Sequence, residues 1–379
     1  VMLGGFFCDA GGGGNAAIGR PNILLITIDT LRADHVGCYG QEVTRTPAID
    51  NLAKRGVLFE KAFPTIPLTT PSIFSILTSR FPKNYTIAYN LPALIGKRGY
   101  KTIAHALGDN GYITRGISGN SIMHSRSGFA EGFDRFIDTG EKNMLPSGDT
   151  MISSVEELID IHSEEGDSGK PFFMWIHFMD PHGHYTPPAQ FDTYSYDEDP
   201  LKPRVEKWEK DYIQHVYNIL DEHGYEKSLE LVRPHSYRGE TTYTDFCVSV
   251  VLRQLEMLGL RDSTAVILTS DHGNTFGSHD QFRGYGYNLY YSSHHVPLII
   301  DYPGKTGKGK RVRKAVSLLD IKPTILELAG ADMTSYTSEG KSLVPLTEGK
   351  EFSRNFVYSQ TVGIKDNEQY EVLRTNFSE

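Results

Sequence analysis

Three short apolar runs, each followed within two residues by an acidic side chain, constrain the fold of this chain more than any other feature. Residues 22–28, 171–178 and 264–269 are almost continuously apolar, rich in β-branched and aromatic residues, and short for buried helices. Such runs are typical of strands in parallel sheets that are covered on both faces. Helical patterns lie between them. We therefore predict an α/β fold with a doubly wound, mostly parallel sheet and helices on both faces.

Shorter patterns fill in this outline. The proline that follows Thr46 marks the start of a helix, and Gly56 and Gly111 mark the C-terminal ends of helices. Apolar residues at helical spacing mark the residues between. The sequence predicts helices over residues 46–54, 102–107, 153–162 and 244–258, a helix begun near Pro323, strands over residues 112–118 and 296–301, and an irregular packed loop over residues 129–137.

Ionisable side chains follow the three apolar runs. They are Asp29 after the first run, Asp180, His182 and His184 after the second, and Asp271 and His272 after the third. The carboxyl ends of parallel strands are where ligands bind in open α/β sheets, so these groups are expected to gather at one edge. Carboxylates and imidazoles suit a divalent cation such as zinc, manganese or calcium. Any one of them read alone could instead cap a turn.

The segment Thr69-Thr70-Pro71-Ser72 is a second candidate for chemistry. Pro71 suits the first helical position, so Thr69 is predicted to lie just before a helix N-terminus. Free N–H groups and the helix dipole favour an anionic group there, and a hydroxyl at that point can attack one. The alternative is that Thr69 and Ser72 only help to start a helix.

The charge balance bears on the class of ligand, and the cysteine content bears on the cellular compartment. Charges of 38 basic against 47 acidic residues give −9, which argues against a general nucleic-acid binder. An anionic substrate would need a local cation such as a metal. The cysteines Cys8, Cys38 and Cys247 fit no ligand pattern and favour a reducing compartment. No secretory signal or membrane-spanning run is visible, so a cytoplasmic protein without a transmembrane segment is predicted.

Several motifs along the chain resemble the sulfatase family of the alkaline phosphatase superfamily. In order they are PNILLITIDTLRAD (residues 21–34), TPAIDNLA (46–53), TTPS (69–72), HFMDPHG (177–183), TSDHG (269–273), VPLII (296–300), DIKPT (320–324) and GKSL (340–343). The resemblance implies a metal held by Asp29, Asp271 and His272, with Thr69 as nucleophile. It also implies that His182 touches the oxygens of a small anionic ester of sulfate, phosphate or phosphonate.

The resemblance also suggests a domain plan. Residues 1–20 are interpreted as a flexible leader, and residues 21–349 as a sulfatase-like catalytic domain with a polar insertion at about 192–235. Residues 350–379 are interpreted as the start of a C-terminal region that family members usually continue further.

Three departures from the sulfatase pattern bear on the chemistry. Sulfatases carry Cys or Ser at the position of Thr69, because those residues are converted to formylglycine. They also carry Arg in place of Ile73, and usually a second Asp in place of Thr30. The site therefore looks more like the phosphodiesterase, pyrophosphatase and phosphoethanolamine-transferase members, whose nucleophile is a plain threonine. We hypothesise a hydrolase with a covalent intermediate on Thr69 that favours phosphodiesters or phosphomonoesters over sulfate esters.

The spacing of Asp180 and His184 raises the alternative of a second metal. Two-metal members have Asp and His four residues apart after the strand, with a distant His as third ligand, for which His279, His294 or His295 could serve. The other interpretation is that Asp180 and His184 only shape the pocket. His279 or Arg283 could also stabilise the transition state or protonate the leaving group.

Two other functions compete with an ester hydrolase of either kind. A head-group transferase would pass the group to an acceptor alcohol, but such members are usually membrane-tethered. A non-catalytic binding protein on the same fold would have little need of a nucleophile beside Asp29, Asp271 and His272.

Overall fold

The computed structural model of the protein describes residues 20–82, 99–139, 144–165, 169–183, 185–194, 234–275, 286, 288–332, 335–354, 356–361 and 372–376. The predicted leader, except Arg20, and most of the predicted polar insertion lie outside these residues.

The described chain alternates between strands and helices. The strands are β1 (Asn22–Ile28), β2 (Val57–Phe59), β3 (Ala62–Phe63), β4 (Ile113–Ser118), β5 (Arg135–Ile137), β6 (Phe172–Phe178), β7 (Thr264–Ser270), β8 (Leu298–Asp301), β9 (Lys310–Val312), β10 (Val316–Ser317), β11 (Phe356–Gln360) and β12 (Val372–Asn376). The α-helices are α1 (Pro47–Arg55), α2 (Thr69–Thr78), α3 (Ile103–Asp109), α4 (Ser147–Glu165), α5 (Pro234–Met257), α6 (Tyr291–His294), α7 (Ile321–Leu328) and α8 (Val344–Thr347).

One sheet of eight described strands organises the molecule. Its order is β5-β4-β6-β1-β7-β8-β2-β9, with β1 flanked by β6 and β7 in parallel register. Of these eight strands, only β8 runs against its neighbours. The connections between the parallel strands carry the helices, as the sequence predicted, and the predicted fold class is confirmed. Two further two-stranded sheets, β10-β3 and β11-β12, lie outside the main sheet.

The core has two halves, one on each face of the sheet. Ile23 of β1 belongs to a buried cluster with Phe74 of α2, and this cluster also contains residues of α3 and α7. The next residue, Leu24, belongs to a second cluster with Leu158 of α4 and Val248 of α5. Successive strand residues point to opposite faces, so an unbroken apolar run fills both halves. Each large apolar side chain buried in this way contributes roughly 1.5–3 kcal/mol of transfer free energy.

Some boundaries differ from the sequence prediction. Helix α5 begins at Pro234, well before the predicted start at residue 244. Its first turns bury polar side chains, including Arg238 and Glu240, so they show no apolar stripe to reveal them. The predicted loop over residues 129–137 ends in the short edge strand β5, which pairs with β4. In the described part of the chain, no helix combines the length and apolar character needed to cross a membrane.

The start of α1 is capped by a residue from another helix. Thr46 occupies the N-cap position but its hydroxyl caps nothing there. Asp245 of α5 instead accepts hydrogen bonds from the backbone N–H groups of Ala48 (3.0 Å) and Ile49 (2.9 Å). A carboxylate on free N–H groups at a helix start is a favourable pairing. This contact therefore joins α1 to α5.

We expect Asp245→Ala to lower the free energy of unfolding by roughly 1–3 kcal/mol, because it strands two N–H groups at the start of α1. Asp245→Asn keeps one acceptor oxygen and should lose less. Urea denaturation followed by circular dichroism measures both. Equal midpoints for the wild type and Asp245→Ala would show that the cap contributes nothing.

Candidate active site

The carboxyl ends of four adjacent strands meet at one edge of the sheet. Asp29 follows β1, Asp271 follows β7, and Asn120 lies two residues beyond β4. His177 is the penultimate residue of β6 and is paired in register with Thr27 of β1. Because these strands are neighbours in the order β4-β6-β1-β7, their terminal side chains share one buried space.

Asp29 uses only one of its two carboxylate oxygens in hydrogen bonds with described residues. Its Oδ2 accepts a hydrogen bond from Asn120 Nδ2 at 2.8 Å and lies 3.3 Å from His177 Nε2. Its Oδ1 is buried and has no hydrogen-bond partner among the described residues. An unpaired buried carboxylate oxygen is costly, so its presence calls for a bound partner.

Asp271 shows the same division between its oxygens. Oδ1 accepts hydrogen bonds from the backbone N–H groups of Thr30 (3.0 Å) and His272 (2.8 Å). Oδ2 is buried and has no hydrogen-bond partner in the described chain. His272 Nε2 lies 3.5 Å from this oxygen and 3.9 Å from Asp29 Oδ1. Two carboxylate oxygens and one imidazole nitrogen thus converge.

The electrostatics of this cluster favour a cation. Burial and the neighbouring Asp29 charge raise the pKa of Asp271. For Asp29, burial alone would raise the pKa, but His182, His177 and His272 together lower the pKa to about 2. Two buried carboxylates in contact with one imidazole oppose each other as anions, and a divalent ion relieves that opposition. The oxygen and nitrogen donors present fit such an ion.

Thr69 is the first residue of α2 and is only 1% exposed. The sequence placed it just before the helix; instead Pro71 is the third helical residue, which is tolerated because the first-turn N–H groups have no intrahelical partner. Thr69 Oγ1 lies 3.3 Å from His272 Nε2. The Ser72 hydroxyl donates a 2.7 Å hydrogen bond to the Asp271 carbonyl, which ties the helix to the end of β7.

Thr30 adopts an unusual backbone conformation beside this cluster. Its φ is 56°, in the left-handed region, where a β-branched residue is strained. Its N–H donates to Asp271, its hydroxyl donates to the Pro181 carbonyl at 3.0 Å, and its own carbonyl accepts from Tyr237 at 2.8 Å. These bonds hold the turn that sets Asp271 against Asp29.

The remaining predicted residues have separate environments. Asp180 is held by the Ser147 backbone N–H, which donates to Oδ2 at 2.7 Å, and burial raises the pKa of Asp180. His182 is half-buried, with Nδ1 2.8 Å from the Gly183 carbonyl.

Two of the histidines predicted as a distant third ligand of a second metal have other partners. Nε2 of His294 contacts the Ser359 hydroxyl at 2.7 Å, and Nε2 of His295 contacts the Glu60 carbonyl at 2.7 Å. His184, His279 and Arg283 lie outside the described residues.

Sequence reasoning missed two members of the cluster. His177 lies inside an apolar run that was interpreted only as a strand, although a lone histidine in such a run is a usable signal. Asp29, His177 and Asp271 each offer a ligand atom within 4.8 Å of the others. Asn120 was missed because β4 ends without an acid or histidine.

The sequence model of the family described as Sulfatase matches residues 21–331. The chain belongs to the sulfatase family. The match begins just before β1 and ends just after α7, so it contains Asp29, Thr69, Asp271 and the other residues of the cluster.

Two curated proteins are similar to this chain in sequence, and one solved structure is similar to it in fold. An arylsulfatase of Clostridium perfringens is 27% identical, over 94% of this chain and 84% of its own length. The multifunctional alkaline phosphatase superfamily protein PehA of Trinickia caryophylli is 27% identical, over 87% of this chain and 78% of its own length. The crystal structure of the phosphonate monoester hydrolase of Agrobacterium radiobacter has a TM-score of 0.72 at 21% identity, covering 90% of this chain and 80% of that one, and it supports the fold alone.

This sulfatase-family protein is therefore a hydrolase of ester bonds, of the sulfuric or phosphoric ester class. Members of the family typically use a divalent metal, and the buried group of Asp29, His177 and Asp271 is able to bind one.

Proposed function

We propose that the protein is a metal-dependent hydrolase that attacks phosphorus esters through Thr69 and forms a covalent intermediate on it. The observation that carries this proposal is the buried Thr69 hydroxyl 3.3 Å from His272 Nε2, beside the unpaired oxygens of Asp29 and Asp271. The Thr69 hydroxyl, the side chains able to bind a metal and the N-terminus of α2 together support this proposal.

Asp29, Asp271 and His272 would hold the cation in this proposal. A bound divalent ion would lower the pKa of a coordinated hydroxyl and offset charge on the non-bridging oxygens of the substrate. Thr69 is the first residue of α2, so the positive end of the helix dipole would favour the same anionic group. The net negative charge of the chain makes these local positive features necessary for binding an anion.

The reaction would take place in two displacements. In the first, Thr69 Oγ forms a bond to phosphorus and gives its proton to water, while the bond from phosphorus to the leaving-group oxygen breaks and that oxygen takes up a proton. In the second, water attacks phosphorus and loses a proton, the bond from phosphorus to Thr69 Oγ breaks, and Oγ takes up a proton, which restores the hydroxyl. His182 is proposed to contact the substrate oxygens or to protonate the leaving group, and His279 and Arg283 stay candidates for the same work.

A threonine nucleophile suits phosphorus better than sulfur. A phosphorylated threonine can be hydrolysed by in-line attack of water, and a cation held by Asp29, Asp271 and His272 would offset the charge on the phosphoryl oxygens. A sulfated threonine has no hemiacetal to expel sulfate, which is the role of formylglycine in sulfatases. Ile73, where sulfatases carry Arg, and Thr30, whose hydroxyl is bonded to Pro181, also depart from the sulfatase pattern.

A sulfate ester stays the second candidate substrate, because the relative in Clostridium perfringens is named an arylsulfatase. The experiment that separates the candidates is a screen of matched aryl phosphate, phosphodiester, phosphonate and sulfate esters with several divalent metals. We expect phosphorus esters to turn over faster than sulfate esters, without an added acceptor alcohol. Dependence on an acceptor would indicate a transferase, and metal binding without turnover would indicate a binding protein.

We propose a single metal rather than two. The Asp180 carboxylate already accepts the Ser147 N–H, and its own backbone carbonyl accepts the Thr244 hydroxyl. We therefore expect elemental analysis to return about one ion per chain, unchanged in Asp180→Asn. About two ions in the wild type, reduced to one in Asp180→Asn, would instead make Asp180 and His184 ligands of a second metal.

A further inference from the structure

A chain of four buried side chains leads through β6 and β1 to the Oδ2 oxygen of Asp29. Trp175 Nε1 donates to Thr27 Oγ1 at 2.9 Å, and Thr27 Oγ1 lies 2.8 Å from His177 Nδ1. His177 Nε2 lies 3.3 Å from Asp29 Oδ2. All four side chains have 0% exposure, so their polar atoms depend on partners inside the protein.

The donor and acceptor inventory gives this chain a direction. The tryptophan N–H is a donor only, so the Thr27 oxygen accepts it and is left with one proton to donate. Two acceptors are within reach, His177 Nδ1 at 2.8 Å and the Ile176 carbonyl at 3.3 Å. The shorter contact favours Nδ1. An Nδ1 that accepts leaves the imidazole proton on Nε2, which faces a carboxylate.

We infer that His177 is a positioning residue that donates from Nε2 to Asp29 Oδ2 and so directs Asp29 Oδ1 toward Asp271 and His272. Asn120 supports this assignment, because it donates to the same Oδ2 at 2.8 Å. Because both donors contact Oδ2 of Asp29, Oδ1 stays available to a bound cation. The inference rests on the proposed metal centre and adds a role that its ligands do not have.

The competing assignment makes His177 a direct ligand, since its nitrogen lies within 4.8 Å of the ligand oxygens of Asp29 and Asp271. In that case Nδ1 would carry the proton and donate to Thr27, and Thr27 would turn to Ile176. The two assignments differ in which nitrogen is protonated and in how many imidazoles touch the metal.

The test uses Mn²⁺ binding, independent of turnover. Thr27→Val removes the hydroxyl while keeping the side-chain shape, and Thr27→Ser keeps the hydroxyl and removes only the methyl group. His177→Phe removes both nitrogens, and His177→Gln keeps an N–H donor at about the reach of Nε2. We expect Thr27→Val and His177→Phe to weaken Mn²⁺ binding roughly 10- to 100-fold, the usual effect of removing a group that orients a ligand. Thr27→Ser and His177→Gln should recover most of the affinity.

Electron spin-echo spectroscopy of the bound Mn²⁺ counts the coordinated imidazoles. We expect the same single imidazole, that of His272, in the wild type and in His177→Gln. Loss of an imidazole signal in His177→Gln would make His177 a ligand and overturn the inference, as would wild-type affinity in a folded Thr27→Val. If Thr27→Val does not fold, the spectroscopic count still decides. A wild type that binds no Mn²⁺ or other divalent ion would refute the metal centre itself, a different result from either of these.

Discussion

Replacing Thr69 with alanine is expected to reduce turnover of an aryl phosphodiester by roughly 10²-fold or more, in line with the size of nucleophile and electrostatic terms at such sites. The substitution removes the hydroxyl that lies 3.3 Å from His272 Nε2 and leaves the carboxylates of Asp29 and Asp271 untouched. Metal binding should therefore survive while the covalent step is lost. Steady-state kinetics with parallel metal analysis measures both.

Thr69→Ser is the matched control for this prediction. It keeps the hydroxyl and loses only the methyl group that restricts its rotamer, so part of the activity should remain. Matched aryl sulfate and aryl phosphodiester should be compared in the wild type and in both variants. Faster sulfate hydrolysis by the wild type, or a Thr69→Ala variant as active as the wild type, would overturn the assignment of the nucleophile and leave only the fold and the metal.

Asp29→Ala and Asp271→Ala are each expected to abolish metal binding and activity while the chain stays folded. Each acid has one buried oxygen without a hydrogen-bond partner among the described residues, and this cost offsets part of the stabilisation from the hydrogen bonds that its other oxygen accepts. Asp271→Asn sharpens the test, because it retains an oxygen for the Thr30 and His272 N–H groups and replaces only the unpaired oxygen. It also removes one of two opposed charges.

The measurements are metal affinity by calorimetry, turnover, and the thermal midpoint in the presence of a chelator. We expect Asp271→Asn to unfold at the same temperature as the metal-free wild type or at a higher one, and to gain no stability from added metal. Asp245→Asn is the control, since it changes a buried acid that caps α1 and should leave metal affinity unchanged. Full metal occupancy with unchanged turnover in either alanine variant would refute the ligand assignment.

The sequence predicted the fold and much of this site because both depend on the same local pattern. An apolar run without alternation predicts a parallel strand, and an acid after such a run predicts the edge where Asp29 and Asp271 meet. His177 escaped prediction because its role depends on register: it lies beside Asp29 only because β6 pairs with β1 as it does. Asn120 was not predicted because its contact with Asp29 depends on β4 lying next to β6, and the order of strands in the sheet cannot be read from a local sequence pattern.

Helix boundaries show the same limit. The first turns of α5 bury Arg238 and Glu240, which no amphipathic pattern would assign to a buried helix face. The cap of α1 comes from Asp245, far along the chain, while the residue with the local capping signal, Thr46, makes no such bond. Tertiary contacts decided both cases.

The position of β1 in the sheet has a consequence for how the protein is made. This strand is synthesised before its partners β6 and β7, which follow only at residues 172–178 and 264–270. Asp29 and Asp271 are 242 positions apart, which at roughly 5–20 residues per second is roughly 12–50 s of translation. Strand β1 has two unpaired edges until residues 172–178 emerge, and one of them stays unpaired until residues 264–270 follow, so β1 can pair with other nascent chains. Slow translation or dense polysomes should therefore favour aggregation, and chaperones that cover the emerging residues 22–28 should raise the yield.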